Sequence, residues 1–420
     1  MTEAALKIVQ KHERLKGDRI NWDSHWDDLA QYILPRKDDV YVRNRTPGEK
    51  KTNTLFDSTG IHVNELLASA LHSGLTNPAT EFFELTTGDP DLDNDDEARK
   101  FLQITARKMH RVLNDSNFHQ EIHEVYLDLG CFGTGFLIME EDDDFMVRFH
   151  SRPIYEAYID ENSKGQIDFV SRCFRWTVRQ IEQEFGEDSL NDNLKKHLMD
   201  APDKKFEVIH QVGPWDGEKN PSGFSFFSRY VVTKEELVVS DSGFNEFPFA
   251  IPRWTKISGE KYGRSPGMKA LPDVKMLNQM QKVTIRSAQK TVDPPLIMPD
   301  DGVLLPLRTA PNSINFRRAG TTDPIESLIT GARVDFGIQM IDFVKKNIER
   351  SFFIDQLQLR EGPQMTATEV AQRAEEQARL LSPALSRQNF ELLRPIVDRL
   401  FGILLRREEL PEIPEVLAGS

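Results

Sequence analysis

Apolar positions in the first third of the chain recur every three or four residues, the period of an amphipathic helix. Leu6, Ile8 and Val9 are followed by Trp22, Trp26, Leu29, Ala30 and Ile33, so a helix is predicted over 1–35, closed by Pro35. The basic, polar stretch 36–51 reads as a loop. Ile61, Leu66, Leu67, Ala70 and Leu71 predict a second helix over 54–73, with a short strand at 82–85 after it. Further helices are predicted over 95–114 and 119–130. The carboxylates between Asp89 and Glu97 suit the start of the first of these, since they face the positive end of the helix dipole.

The period then shortens. Residues 136–139 and 145–149 read as strands around five consecutive carboxylates, 140–144. That run most simply marks an exposed hairpin turn, because adjacent carboxylates cannot converge on one Mg²⁺ without other segments. Strand patterns continue at 167–176, 207–212, 224–232 and 237–240, interrupted by one helix over 178–199. The fold class is therefore α+β, and no internal repeat is visible.

From Met268 onward the pattern is one of long helices. In the first, 267–291, Pro272 fits the first turn. Lys275, Gln279, Lys282, Arg286 and Lys290 share one face, a basic stripe about 22 Å long at 1.5 Å rise per residue. Leu277, Met280, Thr284 and Ala288 fall opposite. Most such stripes are solvated faces; replicated around a ring, this one would line a channel or pair with acidic groups of a neighbouring subunit. A second helix is predicted over 333–356. Val334, Ile338, Ile341, Ile348 and Phe352 form one apolar stripe, and Phe336, Met340, Phe343 and Ile354 another. Asp335, Gln339, Asp342, Lys346, Glu349 and Arg350 lie between them. Two apolar faces suit a helix wedged between neighbours. Phe336, Ile341, Phe343, Ile348 and Phe352 are thus candidates for a subunit interface.

Between these helices, the prolines of 293–324 forbid a long helix and allow short edge strands, so a small protruding module is expected. Gly362–Pro363 breaks helix after 356, which predicts a flexible loop over 356–367. Thr366 and Glu369 then form a capping-box pattern. The helix that follows carries Pro383 and Pro395 and is expected to be kinked.

Composition narrows the function. At 420 residues the chain can hold two or three domains with substantial cores. No apolar run is long enough to span a membrane, and the N-terminus does not read as a secretory signal. Cys131 and Cys173 read as reduced core thiols. A net charge of −14 argues against wrapping nucleic acid but not against a pore through which DNA slides.

Enzymatic patterns are absent. There is no GxxxxGK[ST] phosphate loop, and Gly133–Thr134–Gly135 lacks the lysine and reads as a tight turn. There is no HExxH or GxSxG. His119 and His123 are four apart, yet Glu121 is not at the HExxH position and no third ligand is evident, so they read as an ordinary helix face. No catalytic residue, metal or cofactor is expected. The competing readings are a nuclease or ATPase of a DNA-packaging machine and, more weakly, a sequence-specific DNA-binding module.

Four stretches stand in a telling order: LLASALHSGLTNPATEFFELTTGDP, CFGTGFLIMEED, YGRSPGMKALPDVKMLN and MTATEVAQR. Together they resemble the head-to-tail connector (portal) proteins of short-tailed, T7-like bacteriophages. A Trp-Phe pair is usual in that family where this chain has Phe82 and Phe83. The resemblance implies a cone-shaped dodecamer around a DNA channel. It implies an α/β wing over 1–266, stem helices over 267–291 and 333–356, and a clip over 292–332. A channel loop over 357–365 and a long kinked wing helix over 366–420 complete it. Family members usually continue into a helical crown, whereas this chain stops at Ser420.

The implied DNA-channel residues are Lys275, Lys282, Arg286, Lys290, Lys346 and Arg350. The implied loop contacts are Gln356, Gln358, Arg360, Glu361 and Gln364. The implied partners are further copies of the chain, double-stranded DNA, terminase, major capsid and scaffolding proteins and tail adaptor proteins, with no membrane. The implied location is a capsid vertex of the virion, assembled in the host bacterial cytoplasm.

Overall fold

In the computed structural model, residues 3–37, 51–215, 223–297, 326–327, 334–357 and 381–417 are described. Helix α1 (Glu3–Ile33) has two packing partners along its length. Its first half, through Ala5, Ile8 and Leu15, covers a sheet, and its second half, through Trp26, Leu29 and Ile33, enters the main core. Buried Arg19 lies between, donating to the carbonyls of Ile154 (2.8 Å), Ala157 (2.7 Å) and Tyr155 (3.1 Å) and pairing with Asp23 at 2.8 Å.

Three helices and a short turn of helix follow: α2 (Thr59–Leu75), α3 (Pro90–Asp93), α4 (Asp96–Asp115) and α5 (Phe118–Phe132). The acidic run is a pair of caps. Asp89 accepts the Asp91 N–H, and Asp95 accepts those of Glu97 and Ala98, satisfying backbone donors that a helix start leaves free. Helix α5 ends at Gly133, whose φ of 80° is left-handed and whose position touches the backbone of Gly263. The strand expected at 82–85 does not form. Among the described residues no strand pairs with it, and Phe82 and Phe83 instead pack on His110 of α4, with ring centroids 4.9 and 4.0 Å away.

The first eight strands make two antiparallel sheets. One has the order β2-β1-β8, from β1 (Leu137–Asp142), β2 (Met146–Ser151) and β8 (Phe249–Ala250). The other runs β3-β4-β5-β6-β7, from β3 (Ala157–Glu161), β4 (Ile167–Thr177), β5 (Lys205–Pro214), β6 (Phe226–Val232) and β7 (Leu237–Phe244). The carboxylate run does form a hairpin turn. Asp142 accepts the N–H groups of Asp144 and Phe145, both at 2.9 Å, and binds Arg148 at 2.8 Å. The single helix expected over 178–199 is two, α6 (Val178–Phe185) and α7 (Asp192–Asp200). Gly186, at φ 80° and ψ 161°, stops the first, and the Asn191 side chain caps the second. Cys131 and Cys173 are buried, free thiols.

The described part of the C-terminal helix covers residues 381–406, and Asn389–Leu393 within it is wound as a π-helix. Pro395 follows directly. The Arg394 N–H reaches five residues back to the Asn389 carbonyl, so the irregularity sits where proline interrupts the regular ladder. Pro383 lies in the described helix, while the Thr366 and Glu369 cap lies outside the described residues. This helix is held to the hairpin by arginines. Buried Arg399 donates to the carbonyls of Met139 (2.9 Å) and Glu246 (3.0 Å), and Arg406 pairs with Glu141 at 3.1 Å.

Candidate functional site

The remaining elements are α8 (Pro266–Val292), β9 (Leu296–Ile297), β10 (Glu326–Ser327), α9 (Val334–Ser351) and α10 (Ile354–Leu357). Helix α8 begins within one residue of its expected start, but Pro272 is not in its first turn. The Ser265 hydroxyl accepts the Met268 N–H at 2.9 Å and Pro266 takes the first turn, so Pro272 lies inside the helix. Gly267 crosses α5 closely: a Cβ there would stand 2.9 Å from the Gly130 carbonyl oxygen. Ala270, Leu271, Val274, Leu277 and Asn278 bury the base of α8, and no residue of it beyond Asn278 is fully buried. Asn278 locks the base laterally, accepting the Phe56 N–H at 2.6 Å and donating to the Thr54 carbonyl at 3.1 Å.

Helix α9 packs along α8, with Gly337 beside Thr284. β9, just after the C-terminus of α8, and β10, just before the N-terminus of α9, pair antiparallel. The fold divides the two expected apolar stripes of α9 differently, burying part of each. Ile341, Ile348 and Phe352 are buried in the chain's own core with Val344, so they do not face a neighbouring subunit. Ile354, expected on the second stripe, is buried as well. What remains outward is Ile338 (48% exposed), Met340 (39%) and Phe343 (58%). For Phe336 the backbone alone is described. The helix expected to run to 356 breaks after Ser351. Phe353 takes a positive φ of 61°, which turns its ring toward Trp254, with centroids 6.1 Å apart.

The basic stripe is divided. Lys275 pairs with Asp28 at 2.9 Å and lies over the Tyr32 ring. Lys282 stands 5.3 Å from the centre of the Phe56 ring. Arg286, Lys290, Lys346 and Arg350 are exposed. Lys345, outside the sequence-based set, pairs with Asp57 at 3.2 Å and ties α9 to the start of α2. Gln356 lies in α10, and Gln358, Arg360, Glu361 and Gln364 fall outside the described residues.

Sequence reasoning also missed Arg253. Its side chain, 3% exposed, donates to Glu391 of the π-turn (Nη2 to Oε1, 2.7 Å) and to Glu161 at the end of β3. Only the unusual acid-bearing π-turn beside Pro395 hints at it, and that turn is not visible in a sequence. The Arg253 guanidinium is held above its ordinary pKa by these two carboxylates, against the opposing effect of burial. A groove of about 610 Å³ opens beside it, between the five-stranded sheet and Phe390, Arg394 and Asp398 of the C-terminal helix.

Helices α8 and α9 thus present cations and apolar side chains side by side. The chain belongs to the family of bacteriophage head to tail connecting proteins, which it matches over residues 5–420. It is thus a structural component of the virion and not an enzyme. It is 32% identical to the probable portal protein of Bordetella phage BPP-1, over 100% of this chain and 77% of that one. It is 30% identical to the portal protein of Salmonella phage epsilon15, over 98% and 77%. With the portal protein of Escherichia phage T7 it shares 22%, over 99% and 77%. Among the described residues no helix is long and apolar enough to cross a membrane.

Proposed function

We propose that copies of this chain form a portal ring at one capsid vertex, with α8 and α9 lining a channel for double-stranded DNA. One observation carries the reading: the same helix pair exposes Ile338, Met340 and Phe343 together with Arg286, Lys290, Lys346 and Arg350. Exposed apolar side chains on a helix seek cover, and a neighbouring copy supplies it around a ring. The cations, with Lys282, then face either the lumen or acidic groups of that neighbour. Lys275 is already engaged by Asp28 and contributes less.

In this reading 1–266 is the wing and 267–291 and 333–356 the stem. Residues 292–332 are the clip, 357–365 the channel loop and 366–420 the wing helix. The clip meets terminase during packaging and tail adaptor proteins afterwards, and the wing meets major capsid and scaffolding proteins. Assembly takes place in the host cytoplasm, and twelve copies are expected from the family resemblance. The net charge of −14 suits a conduit, because a strongly basic wall would hold the polymer it must release.

Replacing Met340 and Phe343 by Asp tests the assembly. Monomers by mass photometry are expected, and rings of wild-type mass and stability would refute it.

A further inference from the structure

Helix α2 joins two parts of the molecule: it packs on α5 within the core and on α8, α9 and α10 on its other side. At its C-terminal end stands a group of residues for which the portal reading has no use. His72 of α2 meets His119 and His123 of α5, with ring centroids 5.5 and 6.0 Å apart and rings nearly perpendicular, at 89° and 85°. The third histidine that the spacing of His119 and His123 lacked in sequence thus comes from another helix. As they stand, the three do not converge as a metal site.

The surroundings are poor in countercharge. His119 Nε2 contacts the Asn114 Oδ1 at 2.8 Å, the Phe118 ring lies 5.2 Å from His119, and the Tyr126 ring lies 6.4 Å from His72. His72 Nε2 and His119 Nδ1 are buried without a hydrogen-bond partner. The acids and bases of the adjoining elements are engaged elsewhere. Glu121 accepts the Ser151 N–H at 2.6 Å, Glu124 pairs with Arg36 and Lys37, and Arg111 pairs with Asp115 at 3.6 Å. The ion pair of His150 with Glu140, at 3.7 Å, shows a carboxylate serving a histidine in this chain. None serves His72, His119 or His123 among the described residues.

We propose that His72, His119 and His123 form an acid-released joint between α2 and α5. Neutral, the rings pack edge to face. Protonation of His72 and His119 places like charges about 5.5 Å apart across the contact, and separating the helices relieves the repulsion. Burial and the charges of the other histidines hold the pKa values of His72 and His119 below the ordinary value. The folded state therefore favours the neutral rings. The stability they contribute is present above the unfolded pKa and is lost as pH falls through the lower, folded values. Because α2 also touches α8 and α9, the release reaches the helix pair.

Hydrogen exchange of the full-length protein at about pH 7.5 and about pH 5.5, corrected for intrinsic rates, reads the joint directly. In the wild type, amides of α2 and α5 are expected to exchange severalfold faster at the acid pH, while those of β4 and β5 change little. His72→Phe keeps an aromatic edge and removes the central charge, so its acid response should vanish. His123→Gln, at a half-exposed position, is the second variant and should reduce the response. An absent response in wild type, or an equal one in both variants, overturns the proposal. So does a rise in melting temperature with Zn²⁺ or Ni²⁺ that His72→Phe abolishes, since it would show a metal site.

Discussion

Glu391→Ala tests whether the π-turn holds the C-terminal helix to the body of the chain. Glu391 receives three contacts from the Arg253 guanidinium, at 3.2, 3.1 and 2.7 Å, and the Arg253 backbone N–H at 2.9 Å. Removing it leaves Nη1 with Glu161 and the Lys261 carbonyl, and Nη2 with the Gly165 carbonyl at 3.3 Å. The Nε–H and the backbone N–H lose their acceptor inside the protein. Two orphaned donors at about 1–3 kcal/mol each, on a cation that remains buried, place the loss at about 3–5 kcal/mol. The Arg387–Glu391 contact is partly exposed and adds little. Replacing both partners by apolar residues, Arg253→Met with Glu391→Leu, removes the buried charge and should cost less than the two single changes together. Urea unfolding followed by tryptophan fluorescence reads both, Trp254 being adjacent in sequence. A loss below about 1 kcal/mol for Glu391→Ala, or strict additivity in the cycle, would refute the reasoning.

Burial pushes the Asp128 carboxyl up to about 6 even with Lys37 Nζ 2.6 Å away. Lys37→Met should therefore cost about 1–3 kcal/mol well above that pH, where a buried carboxylate loses its cation, and little well below it, where the acid is neutral. Equal losses on both sides in thermal melts would contradict this. Gly133→Ala should destabilise by about 3 kcal/mol in the same assay, because the position has positive φ and a Cβ would stand 2.6 Å from the Gly263 carbonyl oxygen. A wild-type melt would show that the α5 terminus relaxes freely. Changing Lys282, Arg286 and Lys290 to Gln together should impair DNA packaging or ring stability while leaving the melting of the wing unchanged. Normal phage yield together with normal ring melting would remove both roles for the stripe.

Local signals were legible in the sequence because their physics is local. The carboxylates at Asp89 and Asp95 are helix caps, the acidic run at Asp142 is a hairpin turn, and α1, α4, α5 and α8 lie where apolar spacing put them. The family was legible too, since four motifs in order identify a lineage without any contact being known. Spacing names the face of a helix that needs cover but not what covers it. Ile341, Ile348 and Phe352 read as a subunit interface, and tertiary packing placed them in the chain's own core, leaving Phe343 outside. Phe82 and Phe83 carried strand propensity, yet a strand needs a neighbour, and the fold supplied His110 instead. The same limit hid the pairing of Arg253 with Glu391 and the meeting of His72 with His119 and His123. Each joins residues far apart in the chain, and only folding determines their distance.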